Sequence, residues 1–68
     1  MEIKEIKNYL KHGDIIGLAN EFRCSRFVFF DVLRGKSRNY RATQALLTLA
    51  EKRKIEAENA VERVFKEN

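Results

Sequence analysis

Proline is absent from the 68 residues, glycine occurs three times and tryptophan not at all. Without proline nothing in the chain obliges a helix to kink or stop, and Gly13, Gly17 and Gly35 are few points from which to build tight turns. A single cysteine, Cys24, excludes an internal disulfide, and with one histidine, His12, the chain offers no Cys/His set for a metal. The lack of disulfides fits a reducing cytoplasm. Charged residues recur every few positions in the opening MEIKEIKNYL, so no signal peptide is expected there. No apolar run approaches the roughly 20 residues of a membrane helix. No glycine loop for phosphates, no paired carboxylates around an evident cleft and no nucleophile with a base beside it can be found, so the sequence predicts no enzyme and no cofactor. His12 reads as a helix-end residue favoured by the dipole rather than a ligand.

What is present favours helices. A third of the residues are charged, and good helix formers dominate, so an all-α domain is expected. Ile3, Ile6 and Leu10 mark a first helix over about 2–11, with Tyr9 beside the stripe and Gly13 as its C-cap. Asp14 is the expected cap of a second helix, 14–22, on which Ile15, Leu18, Ala19 and Phe22 fall at i, i+3, i+4 and i+7. Arg23-Cys24 makes a turn, and Ser25 supplies an N-cap oxygen for a third helix, 25–34. Val28, Phe29, Val32 and Leu33 form its inward face, and Gly35 suits a left-handed C-terminal residue. Cys24 reads as a small buried hydrophobe. A long fourth helix covers 40–66, unbroken or with a break near Lys52, and closes the core with Ala42, Leu46, Leu49 and Ala50. The whole is one domain, residues 1–68, with a core near the lower size limit for independent folding.

Charge is unevenly spread. The net charge is +4, yet residues 23–41 hold six basic side chains against Asp31 alone, and the rest of the chain is near balance. A basic cluster on one motif suits a polyanion, since neutralising phosphates releases counterions.

The stretch from Asp14 to Lys36 resembles the helix-turn-helix of the phage Cro and repressor family and of lac-repressor-type headpieces. Ala19 matches the family's small residue at the helix crossing, Cys24 its apolar residue after the turn, and Ser25 and Arg26 its polar opening of the recognition helix. Val32, Leu33, Arg34, Gly35 and Lys36 match the closing phrase of an apolar pair, a polar residue, glycine and a basic residue. The resemblance is close over about a third of the chain and loose over most of it. It implies a four-helix repressor-type domain that binds double-stranded DNA, with helix 25–34 in the major groove and the loop 35–41 on phosphates. On that reading Ser25 and Arg26 lead at base edges and Arg34 stands near the far end, with Phe27 and Phe30 also on the outward face. Arg23, Lys36, Ser37, Arg38 and Arg41 serve the backbone.

This sequence departs from the family in two places. Arg23 stands where many members carry glycine, and a left-handed conformation there costs a non-glycine residue roughly 1–2 kcal/mol. Phe27 and Phe30 replace polar readers, with Asp31 beside them. The two aromatics could touch thymine methyls or wedge a base step, could be core, or could anchor a protein partner, which is the alternative function: a helix-turn-helix scaffold for protein–protein interaction. Beyond residue 51, Ala57, Ala60, Val61 and Val64 continue a thin apolar stripe with Phe65 adjacent, and Leu47, Ala50, Lys54, Ala57, Val61 and Val64 follow the alternating steps of a coiled-coil seam. That segment, 51–68, either folds back on the first helix or pairs with a second subunit. A homodimer would supply the two half-sites that such motifs read. With no sensor domain in the chain, no small-molecule ligand is expected.

Overall fold

Helix-forming residues and capping side chains divide the computed structural model, which describes residues 1–67, into α1 (Ile3–Tyr9), α2 (Asp14–Phe22), α3 (Arg26–Leu33) and α4 (Tyr40–Glu67). There is no strand among the described residues, so the fold is all-α, as expected. Both α1 and α3 pack on α4, and α2 packs on α3. One core joins them: Ile6 from α1, Leu18 and Ala19 from α2, Phe29, Val32 and Leu33 from α3, and Ala42, Leu46 and Ala50 from α4. Phe29 and Leu46 are the largest fully enclosed side chains, and the ring of Phe22 leans on that of Phe29 with centroids 6.2 Å apart. The inward residues expected from helical spacing are buried or half-buried, except Ile3, which lies at the exposed start of α1.

The helix ends explain the turns. After α2, Cys24 N–H donates to the Ala19 carbonyl at 3.0 Å and Arg23 N–H to the Asn20 carbonyl at 3.3 Å. After α3, Lys36 N–H donates to Asp31 at 2.9 Å and Gly35 N–H to Val32 at 3.0 Å. These are the same pair of bonds, one reaching back five residues and the other three, closing both helices through a left-handed residue. That residue is Gly35 at φ 76° in the second case and Arg23 at φ 53° in the first. Ser25 caps α3 as expected, its Oγ accepting from Phe27 N–H at 3.2 Å. Asn39 caps α4: its Oδ1 accepts from Ala42 N–H at 3.0 Å.

Three expectations need correcting. The first helix stops at Tyr9, because Leu10 turns extended at φ −79°, ψ 142°, and Gly13 therefore does not cap it. Gly13 instead precedes α2 in a left-handed conformation, φ 89°, and Asp14 is the first helical residue rather than the cap. The Asp14 carboxylate has other work: Oδ2 accepts from Lys11 N–H at 2.6 Å and Oδ1 from the Arg53 guanidinium at 3.0 Å, tying the α1–α2 connection to the middle of α4. Cys24 is exposed, not buried, because the left-handed step at Arg23 leaves it on the outside of the turn.

α4 continues through Lys52 without a break, so the break considered there is absent. At 28 residues it is about 42 Å long, and it sets the long axis of a molecule measuring 45 × 22 × 17 Å. From Ile55 to Lys66 every side chain is exposed, so this end does not fold back on α1.

Two stability outcomes follow. Arg23→Gly relieves the left-handed arginine and raises stability by up to about 1 kcal/mol, since glycine's greater freedom in the unfolded chain offsets part of the gain; chemical denaturation reads the shift. Asp14→Ala removes the acceptor of two bonds, one to a charged donor, and costs roughly 2–3 kcal/mol in the same assay.

Candidate nucleic-acid interface

The basic stretch folds into three connected pieces: the turn Arg23–Ser25, the outward face of α3, and the loop 35–39 with the first turn of α4. Arg26, Phe27, Phe30, Asp31 and Arg34 fall within less than half a turn of the α3 helical wheel, opposite Phe29, Val32 and Leu33. Phe29 is 1 % exposed and Phe27 56 %, so neighbouring helical positions separate core from surface. Phe30 is half-buried, and the rings of Phe27 and Phe30 lie 6.4 Å apart. The Arg26 guanidinium lies over Phe27 at 5.4 Å from the ring centre, and that of Arg34 over Phe30 at 5.8 Å. Two arginines are thus supported on an aromatic shelf, an arrangement worth about 0.5–1 kcal/mol per exposed pair. Asp31 approaches Arg34 at 4.0 Å with both side chains about half exposed, a contact too loose and too wet to hold the arginine fixed.

At the turn, Arg23 and Cys24 are exposed. Cys24, Val28, Asn39 and Arg41 share the walls of a cavity of about 190 Å³ floored by Phe22 and Phe29, which brings the turn against the start of α4. The Arg41 guanidinium lies 5.2 Å from the centre of the Phe22 ring. Ser25 and Ser37 both use Oγ as an acceptor, Ser37 from Asn39 N–H at 3.3 Å, so each hydroxyl hydrogen is still free to donate outward. Lys36 and Arg38 are exposed in the loop, and Arg34 stands at the end of α3 just before them.

Every basic residue singled out from the sequence is on the surface, along with Ser25 and Phe27; Phe30 and Ser37 are half-buried. Asn39 was not among the expected site residues, yet its Oδ1 accepts from Ala42 N–H, its carbonyl accepts from Thr43 Oγ1 at 2.7 Å, and its N–H donates to Ser37 Oγ. Those bonds orient the loop on which Lys36 and Arg38 ride. The sequence reading missed one further feature, an open apolar groove of about 450 Å³ between α2 and α4, lined by Leu18, Phe22, Ala45 and Leu49 with Arg41 and Lys52 at its rim. Its signal was Ala45, which with the half-buried Leu49 flanks the core positions Leu46 and Ala50 on α4. Among the described residues no cluster of His, Cys, Asp and Glu could hold a metal ion, and no helix is long and apolar enough to cross a membrane.

Comparison with models of protein families, with curated proteins and with solved structures gave no match.

The contrast between the two faces of α3 is directly measurable. Phe27→Ala changes stability by less than about 1 kcal/mol, as an exposed residue should. Phe29→Ala costs about 3–5 kcal/mol, enough to unfold a domain of this size. Thermal melts followed by circular dichroism distinguish the two.

Proposed function

We propose that this protein is a small sequence-specific DNA-binding protein, a transcriptional regulator that works in the cytoplasm as a homodimer. The observation that carries the reading is the coincidence of charge and shape: six basic side chains and one acidic one lie between residues 23 and 41, all seven on or around a short helix with one bare face. The resemblance to the Cro and phage-repressor helix-turn-helix supports it, as do two helices joined by a three-residue turn and closed through a left-handed residue.

On this reading α3 enters the major groove. Arg26 suits a bidentate contact to guanine, and Ser25 can donate to a base or phosphate from the hydroxyl hydrogen that its capping role leaves free. Phe27 meets the apolar C5-methyl side of a thymine while holding the Arg26 guanidinium above it. Arg23, Lys36, Arg38 and Arg41 take phosphates, helped by the N–H groups at the start of α4. Arg34 and Ser37 complete the contact at the far end of the helix.

A second reading is favoured by one observation: Phe27 is 56 % exposed beside half-buried Phe30 and Asp31, which would suit an anchor for a protein partner. The arginines stacked over both rings speak against it, because a protein partner would have to desolvate them.

Binding of the purified chain to random duplex DNA at two salt concentrations, followed by sequence selection, separates the two. The regulator reading expects salt-sensitive binding that enriches a palindrome. Arg38→Ala should weaken all sequences alike and reduce the salt slope by about one ion. Arg26→Ala should relax preference at a single base pair, by roughly 1–3 kcal/mol. No binding even at low salt sinks the reading, and equal losses for both variants on every sequence would overturn the roles assigned to them.

A further inference from the structure

The chain exposes more surface than a compact monomer of its size. A folded monomer of 8.0 kDa should expose roughly 4,450 Å², and this one exposes 5521 Å². Its radius of gyration is 13.8 Å, against roughly 11 Å for a compact domain of 68 residues. The surplus area of roughly 1,100 Å² exceeds the ~800 Å² that each partner contributes to a standard protein interface.

The last three turns of α4, exposed along their whole length, contribute to it. Val64 lies five helical turns beyond Leu46 and Ala57 about three, so the stripe that α4 buries through Leu46 and Ala50 continues past the core on the same side. There it meets nothing: Val61 is 55 % exposed, Val64 58 % and the adjoining Phe65 74 %. The apolar overhang is about 18 Å long and stands beside the end of the folded body.

We propose that this overhang docks on the same segment of a second copy of the chain, with the two α4 helices antiparallel. The geometry selects the orientation. Because the bare stripe lies on the side of α4 that carries α1 and α3, a parallel partner would bring two folded bodies together at one level on facing sides, and they would collide. Run antiparallel, each overhang fills the space beside the other's, and the body of each copy lies past the free end of its partner's helix. The inference deepens the homodimer of the preceding reading but requires no DNA contact, so failure of the dimer and failure of DNA binding are read separately.

Sedimentation equilibrium on the full chain tests the pairing, with a dimer expected to form below about 1 mM. Val61→Glu with Val64→Glu should raise that constant at least about tenfold, with no loss of helical circular dichroism beyond the overhang. Asn59→Lys, on the back of the helix, should leave the constant unchanged. A chain that stays monomeric up to about 1 mM, or a dimer that survives both glutamates, overturns the proposal. The sole cysteine tests the orientation: Cys24 shares a cavity with Asn39 and Ala42 at the start of α4, so in the antiparallel pair two labelled thiols stand about 55–60 Å apart along the shared axis. Electron–electron distance measurement at that value supports the arrangement. A separation within two molecular widths of 22 Å means parallel pairing and rejects it.

Discussion

An eight-residue helix cannot persist by itself in water, since nucleation costs more than so few hydrogen bonds return. α3 exists because Phe29, Val32 and Leu33 are held between α2 on one side and α4 on the other. Everything exposed on its outer face inherits its position from that burial. The Ser25 cap and the Gly35 closure define where the helix starts and stops, but the buried side chains decide which way it faces. The Asp14–Arg53 pair secures the arrangement from the far side, holding the entrance to α2 against α4 across a separation of 39 residues.

The outer face combines groups with opposed demands on water. Arginine heads are hydrated cations and phenylalanine rings are not, yet stacked together they cover each other's poorly solvated sides. This lessens the oddity of two large aromatics on a basic surface. Arg26 covers part of the Phe27 ring, and Phe27 restrains the rotamers of Arg26, so a contact made by that guanidinium would lose less side-chain entropy than one made by a free arginine. Asp31 tempers the charge of the same face without neutralising it.

Helical periodicity and capping chemistry made most of this legible from the residues. Spacing of three and four identified the buried sides of α2, α3 and the first half of α4, and the oxygen of Ser25 and the backbone freedom of Gly35 marked the ends of α3. The failures cluster where the backbone leaves the helical period. Nothing in the local pattern announces that Leu10 turns extended, that a left-handed Gly13 rather than Asp14 takes the cap position of α2, or that Asp14 is claimed by Arg53, because that partner is distant in sequence. Cys24 was misjudged for a related reason. Its burial was inferred from side-chain character, but its exposure is decided by the φ of the residue before it. The surface of α3 was legible as a list of residues, whereas the stacking of Arg26 and Arg34 over the rings depends on rotamers that no sequence pattern encodes.

Within α4 a single unbroken helix passes from complete enclosure at Leu46 and Ala50 to full exposure after Lys54. Its backbone bonds are alike along the length, but the free energy needed to open them is not. Near Leu46 an amide can exchange its hydrogen only when the whole domain unfolds, because the turn around it belongs to the one core that joins the helices. Toward Lys66 no other element of the same copy covers the helix, so each turn can unwind at the small cost of ordinary helix fraying. In a single copy, protection against hydrogen exchange should therefore fall steadily along this one element, so that a helix of uniform geometry behaves as a rigid post at its root and a fraying rope at its tip.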